Sequence, residues 1–363
     1  MLKINELKEI YKIKKSKYYS SILLLMNNED KNIILSDSKG IIHIYDSKND
    51  FKELLTIEFK KEINFISLKN ENEILITFSE YIKCISIFKE ISKNEKIYNY
   101  KEVFSVSLNL KDFSFYQCIS LKSLENHLVS SCIKEIIHSW VLNSNNSNNT
   151  NLCNPLNYRV KKVISVCNKD TSAYLLEIPK LKILVTCSFR DCVLKFFDLE
   201  NNYKFVSKIN KIGQGYYEGC LSLINSDLFI VSGEGIKGIY LVNAIYKEII
   251  QCIQINGYNG WINCLYAEPD YNELNPNKMI FYAGGEFEDN KKNFSCNFQQ
   301  YGIVEGEIKL LNNKLNVHDE KISSIILYNN SSIDGADGKR NIDNNNKYYF
   351  WSVSKIDVKI WSN

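Results

Sequence analysis

The sequence predicts an all-β fold in which seven four-stranded antiparallel units form one closed ring. The first observation is a hairpin pattern, clearest at residues 185–198 (V-T-C-S-F-R-D-C-V-L-K-F-F-D), where a tight polar turn separates two apolar runs. The second is that this pattern returns at residues 33–46, 128–140, 230–243 and 349–361. The third is length, because repeats of about 40–50 residues fit seven times into a chain of this size.

The first strand is predicted at residues 8–13 (K-E-I-Y-K-I), where polar and apolar side chains alternate as in a half-buried strand. No hairpin partner lies nearby in the sequence. We therefore assign this segment as the outer strand of the last unit, which otherwise lacks one. The N-terminal strand then closes the ring and leaves no open edge between the first and last units.

The units follow in order, each with an inner strand, a middle hairpin and an outer strand. Units 1 to 5 are placed at residues 19–59, 63–106, 115–166, 173–210 and 217–255. Unit 3 carries a Ser/Asn-rich insert at residues 143–157, a composition that cannot bury enough apolar surface to order itself. Because each unit exposes two apolar faces, neighbouring units must pack together, and residues 1–363 are predicted to form a single domain.

Units 6 and 7 begin at Trp261 and after His318. The strands of unit 6 are assigned to residues 262–267, 279–283 and 306–311, and those of unit 7 to residues 322–328, 348–353 and 358–361. In unit 6 the polar and aromatic stretch 286–305 is interpreted as a long insert between the second and third strands. Unit 7 carries an Asn/Asp/Gly-rich insert at residues 329–347, and the missing outer strand is the place left for residues 8–13.

Composition narrows the function classes. The net charge of +3 is smaller than the basic excess of a dedicated nucleic-acid binder, so direct nucleic-acid binding is not expected. Residues 1–15 are charged and show no secretory signal, and the longest apolar run, 22–26, is too short to span a bilayer, so no membrane association is expected. The 11 Cys are scattered without a C-x-x-C pair, which favours a reducing compartment, the cytosol or the nucleus.

The repeats resemble those of WD-repeat (WD40) β-propellers. The resemblance rests on residues 37–46 (D-S-K-G-I-I-H-I-Y-D), 188–198 (S-F-R-D-C-V-L-K-F-F-D), 306–312 (G-E-I-K-L-L-N) and 353–361 (V-S-K-I-D-V-K-I-W). It covers essentially the whole chain, although each repeat is degenerate and no subfamily is assigned. It implies a seven-bladed β-propeller of four-stranded antiparallel blades, closed by the N-terminal strand.

The family has a hydrogen-bonded set of His, turn Asp, Ser and Trp within one blade. Here the turn Asp is present only as Asp191, while Lys39, Lys134 and Lys355 occupy the turns of units 1, 3 and 7. The Trp survives as Trp140 and Trp361, and the His only as His318. On this alignment no single unit holds all four residues, so stability is expected to come mostly from apolar packing.

Other residues with chemical potential are explained more simply by structure. His43, His127, His138 and His318 are dispersed without zinc-ligand spacing, and His43 and His138 are predicted to face solvent from third strands. Cys118, Cys220 and Cys264 in inner strands, and Cys132 and Cys187 in second strands, are expected to be small buried hydrophobes, with no Cys/His pairing. The glycines of residues 213–219 lack the following helix of a phosphate loop. We therefore expect no catalytic residue, cofactor or metal.

Large side chains are predicted to gather on one face of the ring, because inter-blade loops and middle-hairpin turns share that face. These residues are Tyr81, Phe189, Arg190, Tyr216, Tyr217, Tyr258 and Trp261. Tyr, Trp and Arg are enriched at binding hot spots, so this partner face is a hypothetical protein-binding site. The alternative is that some of these rings pack between blades.

Three functions follow, in order of preference. The first is a non-catalytic scaffold, a monomeric propeller that holds protein partners within an intracellular hetero-complex. The second is an accessory subunit of an RNA- or chromatin-modifying complex, and the third is a hydrolase with its site at the axial channel. The fold alone does not decide among them.

Overall fold

The fold is described by a computed structural model. It covers residues 8–14, 23–25, 32–37, 39–47, 51–92, 95–107, 114–132, 136–142, 158–165, 173–188, 193–210, 212, 219–233, 236–254, 261–288, 294–319, 322–329, 348–354 and 357–362. Over these residues, 28 strands form seven four-stranded antiparallel sheets. The structure confirms the seven-bladed β-propeller.

The chain enters the ring with β1 (Lys8–Lys14), which belongs to the last blade. Blade 1 contains β2 (Leu23–Leu25), β3 (Ile33–Ser36), β4 (Ile41–Tyr45) and β5 (Glu53–Glu58). Blade 2 contains β6 (Ile63–Leu68), β7 (Glu73–Phe78), β8 (Tyr81–Ser92) and β9 (Glu95–Ser107). Blade 3 contains β10 (Phe115–Ser120), β11 (His127–Cys132), β12 (Ile136–Leu142) and β13 (Tyr158–Ser165).

Blades 4 to 7 repeat the same order of strands from the axis outward. Blade 4 contains β14 (Ala173–Ile178), β15 (Ile183–Ser188), β16 (Leu194–Asp198) and β17 (Lys204–Ile209). Blade 5 contains β18 (Gly219–Leu223), β19 (Leu228–Gly233), β20 (Ile236–Asn243) and β21 (Glu248–Gln254). Blade 6 contains β22 (Trp261–Ala267), β23 (Met279–Glu288), β24 (Phe294–Val304) and β25 (Glu307–His318). Blade 7 contains β26 (Ile322–Asn329), β27 (Tyr348–Ser354) and β28 (Asp357–Ser362).

The N-terminal strand completes blade 7, as predicted. Strand β1 pairs antiparallel with β28, with Lys12 opposite Lys359 and Lys14 opposite Asp357. The register shifts between Glu9 and Tyr11, which marks a bulge in this outermost strand. The two ends of the described chain are therefore held in one sheet.

The strand assignment in blade 6 was wrong. The stretch 286–305, predicted as an insert, contains most of the third strand, β24, and residues 306–311 lie at the start of the fourth strand, β25. Glu305 and Gly306 form the hairpin turn between these strands, with φ angles of 55° and 81°. Two consecutive positive φ angles are typical of the tight turn that joins twisted antiparallel strands. The Glu-Gly pair was the missed signal.

Seven apolar clusters lie between neighbouring blades and hold the ring together. The cluster between blades 7 and 1 closes the ring. In it the Trp351 ring lies 5.9 Å from the Tyr45 ring and 5.3 Å from the Phe51 ring, measured between centroids. Each blade thus buries both faces against neighbours, which is how a solenoid-like array obtains its core.

Burial is nearly complete in the second strands, less complete in the third strands and alternating in outer strands such as β21. Strand β3 is buried at all four positions, whereas β21 alternates exposed and half-buried residues. The predicted exposure of His43 and His138 was therefore wrong, because these residues are 6% and 3% exposed in β4 and β12. At these two positions the adjacent blades cover the third strand.

Helical structure is confined to short connections. The α-helix α1 (Pro269–Leu274) and the 3-10 turn Pro276–Lys278 join β22 to β23, and a second 3-10 turn, Pro179–Leu181, joins β14 to β15. Within the described ranges, no helix has the length and apolar character needed to cross a bilayer.

Candidate functional site

A continuous hydrogen-bonded chain of four buried side chains joins His318, the last residue of β25 in blade 6, to Ser352, Asp357 and Trp361 of blade 7. The indole nitrogen Nε1 of Trp361 donates to Oγ of Ser352 over 2.9 Å. Oγ of Ser352 lies 2.7 Å from Nε2 of His318, whose Nδ1 lies 2.5 Å from Oδ1 of Asp357. These are the four residue types of the hydrogen-bonded set that the resemblance to WD-repeat propellers implies, and the structure brings all four together.

The expectation that the four residues do not come together was therefore wrong, although the His is supplied by the end of β25 in blade 6 and the other three residues by blade 7. The acidic residue is Asp357, the first residue of β28, whereas the sequence alignment had looked for it at position 355. The sequence S-K-I-D at residues 354–357 contains this Asp three residues after a Ser. In the structure, Ser354 Oγ donates a hydrogen bond to Asp357 Oδ1 over 2.6 Å.

The protonation states follow from burial and from these bonds. Burial lowers the pKa of His318 and outweighs the opposing hydrogen bond to Asp357. The neutral ring then donates from Nδ1 to the carboxylate and accepts from the Ser352 hydroxyl at Nε2. Burial alone would raise the pKa of Asp357, but hydrogen bonds from His318, Lys12 and Ser354 together hold this pKa well below its usual range.

The same carboxylate anchors the closing strand. Nζ of Lys12 in β1 lies 2.8 Å from Oδ2 of Asp357, and the hydrogen bond to Asp357 raises the pKa of Lys12. A second ion pair joins Glu9 Oε2 to Lys359 Nζ at 3.2 Å. The side chain of His318 is 0% exposed and that of Asp357 is 2% exposed, so both are shielded from solvent. The arrangement stabilises ring closure.

Blade 3 retains half of this set. Nε1 of Trp140 donates to Oγ of Ser130 over 2.8 Å. Contrary to the expectation of no Cys/His pairing, Sγ of Cys132 lies 3.4 Å from Nδ1 of His138. Burial raises the pKa of Cys132 to about 12 and lowers the pKa of His138. Both groups are thus neutral near pH 7, and this pair supplies no thiolate nucleophile.

Seven of the eight described cysteines are buried, as expected of small hydrophobic side chains. All five that the sequence assigned to buried strand positions are buried free thiols: Cys118, Cys132, Cys187, Cys220 and Cys264. Burial raises the pKa of Cys84 to about 12, whereas Cys252 is exposed. Over the described residues, no group of three or more His, Cys, Asp or Glu side chains is arranged to hold a metal ion.

The predicted partner face is only partly covered by the structure. Phe189, Arg190, Tyr216, Tyr217 and Tyr258 lie outside the described residues. The two other members of the set lie in strands, Tyr81 at the start of β8 and Trp261 at the start of β22. First and third strands of a blade run in the same direction, so both residues begin their strands at the same face of the ring.

Tyr81 itself is half-buried. Its ring lies 4.5 Å from the Phe78 ring between centroids, and Nζ of Lys61 and Nζ of Lys83 lie 5.3 Å and 5.7 Å from its centroid. Cations at these distances from an aromatic face interact with its quadrupole. Tyr81 therefore combines packing against the cluster between blades 1 and 2 with one accessible edge.

Comparisons with known proteins show the fold. No family model and no curated protein matches the sequence. The WD40 domain of Toxoplasma gondii coronin is 11% identical with a TM-score of 0.63, over 98% of this chain and 86% of that chain. The structure of U3-55K is 11% identical with a TM-score of 0.64, over 98% of both chains.

A third solved structure, the WD40 repeats of RRP9, is 11% identical with a TM-score of 0.64 and covers 99% of this chain and 100% of that chain. At this identity a structural likeness speaks for the fold and not for a shared task. This likeness agrees with the seven blades, the closing N-terminal strand and the buried His-Asp-Ser-Trp set described above. The chain therefore has the seven-bladed propeller fold of WD40 domains, the family that its degenerate repeats resemble.

Proposed function

We propose that this protein is a non-catalytic scaffold that holds protein partners in a multiprotein complex of the cytosol or nucleus. The observation that carries the proposal is the WD40-type ring itself, matched over nearly the whole chain. Seven mutually packed blades present a rigid surface, so a bound partner loses little conformational entropy of the scaffold. The buried set of His318, Ser352, Asp357 and Trp361 is linked to the closing strand through Lys12, which lies 2.8 Å from Asp357.

The partner face is the proposed working surface. It comprises Tyr81, Phe189, Arg190, Tyr216, Tyr217, Tyr258 and Trp261. Its support is the shared starting face of β8 and β22, together with the residue types, because Tyr, Trp and Arg dominate binding hot spots. Blades 4, 5 and 6 are neighbours, so their contributions would form one contiguous patch.

The test is affinity capture from native extract with three forms of the protein: wild type, Tyr217→Ala/Trp261→Ala, and Tyr246→Ala. Tyr246 is 71% exposed in the turn between β20 and β21, at the opposite face, and is the matched control. We expect a stable set of partners with wild type and the control, and its loss with the double variant. Equal recovery by all three folded forms contradicts the partner face, and no partner with wild type contradicts the scaffold.

The hydrolase alternative needs a carboxylic acid with a raised pKa in a pocket. The described carboxylates with perturbed pKa values are all shifted downward: Asp198 by Asn201, Glu273 by the Ser226 amide, and Asp357 as described above. A salt-sensitive association with nucleic acid would favour the accessory-subunit alternative.

A further inference from the structure

A groove of about 540 Å³ lies on the outer wall of the ring, between the outer strands of blades 3 and 4. Its lining residues are Lys162, Val163, Ile164, Lys195, Phe197, Tyr203, Phe205 and Lys208. They come from β13, β16 and β17 and from the turn that precedes β17. We call this site the side groove.

The floor of the side groove is apolar. Phe197 is 3% exposed and Ile164 is 8% exposed, and both belong to the cluster between blades 3 and 4. Phe205 stands over Phe197, with ring centroids 6.0 Å apart, and remains 49% exposed. An aromatic ring that is half in solvent beside a buried one offers a surface for an apolar side chain.

The rim of the side groove is cationic. Lys195 and Lys208 lie directly opposite each other in the β16–β17 register, so two positive charges share one side of the sheet. Like charges in directly opposed positions destabilise a sheet unless a counter-charge lies between them. Lys162 approaches from blade 3, with its Nζ donating to the backbone carbonyl of Asn202.

The nearby carboxylates are already engaged. Asp198 in β16 accepts from the amide and side chain of Asn201, at 3.1 Å and 2.6 Å. Glu200 pairs with Lys182. Glu177 in β14 accepts two backbone amides of blade 3 at 2.6 Å and 2.7 Å. Within the part of the chain that the structure describes, none of the three groove lysines forms an ion pair with a carboxylate.

We propose that the side groove binds a short acidic peptide segment of a partner protein, with carboxylates on the lysines and an apolar side chain on Phe205. Charge complementarity and the apolar floor together select this occupant. The Ser/Asn-rich insert that precedes β13, residues 143–157, contains no Asp or Glu, so it does not supply the complementary charge. A nucleic acid fits less well, because the chain as a whole carries a net charge of only +3.

The test uses full-length protein and three fluorescein-labelled 12-residue probes in an anisotropy titration. The first alternates Asp/Glu with Leu/Phe, the second replaces each acid by Asn or Gln, and the third replaces each Leu or Phe by Ser. A 12-nucleotide oligouridine is the fourth probe. We expect saturable binding of the first peptide only, weakened by added salt because the contacts include charged pairs.

The variants locate the contact. Lys195→Glu/Lys208→Glu is expected to weaken binding about tenfold or more, since two attractive contacts become repulsive. Lys101→Glu/Lys278→Glu makes the same change at exposed sites outside the groove and is expected to leave binding unchanged. Phe205→Ser keeps the charges of the groove and removes its apolar contact. Weaker binding of the first peptide by this variant would show that charge attraction alone does not account for binding.

Carbodiimide coupling of peptide carboxylates to lysine amines, read by mass spectrometry, gives the position directly. Cross-links concentrated at the three groove lysines support the proposal. No binding of the acidic-apolar peptide, equal loss with both lysine double variants, or tighter binding of oligouridine overturns it. The side groove shares no residue with the partner face, so the two proposals are tested by different variants and the failure of one does not overturn the other.

Discussion

Removing the carboxylate of Asp357 is expected to loosen the closure of the ring. The change Asp357→Asn keeps the size of the side chain but removes the negative charge that Lys12 approaches to 2.8 Å. It also replaces an acceptor that serves His318 Nδ1 and Ser354 Oγ. Breaking a buried ion pair by removing one partner costs about 3–5 kcal/mol.

The lower end of that range is expected here, because the side chain of Lys12 is 27% exposed and water screens it in part. With an unfolding entropy of about 2 cal/mol/K per residue, a loss of about 3 kcal/mol lowers Tm of a chain of this length by about 4 °C. Thermal unfolding followed by circular dichroism measures this shift. A repeat array can unfold in stages, so the first transition is the relevant one.

The control is Glu9→Gln, a carboxylate-to-amide change at the neighbouring ion pair with Lys359, where the Glu9 side chain is 36% exposed. A surface pair of this kind contributes about 0–1 kcal/mol, so Tm should fall by about 1 °C or less. If Asp357→Asn and Glu9→Gln have the same Tm, the reasoning about the closing carboxylate is refuted.

The dependence on pH has a defined sign. The pKa of Asp357 is lowered in the folded protein, so its contribution is complete above the ordinary Asp pKa of about 4 and is lost as the pH falls further. The pKa of His318 is also lowered, so acidification below about pH 6.5 favours the unfolded state, which binds the extra proton. The Tm difference between wild type and Asp357→Asn should therefore narrow below about pH 4.

Three further outcomes are expected. Gly40→Ala should lower the free energy of unfolding, measured with urea, by more than about 2 kcal/mol, because φ of Gly40 is +83° and an added Cβ would lie 1.9 Å from a backbone oxygen. Gly306→Ala introduces a similar backbone strain, with φ of +81°, but its Cβ would contact nothing, so the loss should be about half as large. Trp140→Phe should lower the free energy of unfolding by about 1–2 kcal/mol in the same assay, because the buried Ser130 hydroxyl then loses the indole hydrogen bond that it accepts. Brief alkylation of the folded protein, mapped by mass spectrometry, should label Cys252 and spare the seven buried cysteines of the described ranges; equal labelling would contradict their burial.

The sequence was a good guide wherever a local pattern carries the information. Apolar runs separated by turn residues recur along the sequence, so the order of the strands and the number of blades could be predicted from the sequence alone. The strand prediction for blade 6 was wrong because β24 and β25 are longer than ordinary strands and the Glu-Gly turn between them lies inside a polar stretch. The polar composition of residues 286–305 is typical of an insert, but pairing with neighbouring strands outweighs this local preference.

The site was harder to predict, because side-chain partners are set by long-range packing. The sequence identified His318 and Trp361 but paired neither with Asp357, which lies 39 residues beyond His318 in the chain. The exposure of His43 and His138 was misjudged for a related reason. Alternation within a strand shows which residues share a face, but only the neighbouring blade decides whether that face is covered.

The sequence by itself determined the seven repeats, the antiparallel order within each blade and the closing role of the N-terminal strand. These follow from periodicity and from the need to satisfy sheet edges, which are properties of short segments. The tertiary structure alone decided that Lys12 meets Asp357 and that Lys162 faces Lys195 and Lys208 across two blades. Such contacts join residues far apart in the chain, and their geometry depends on how twisted sheets pack, which no local pattern encodes.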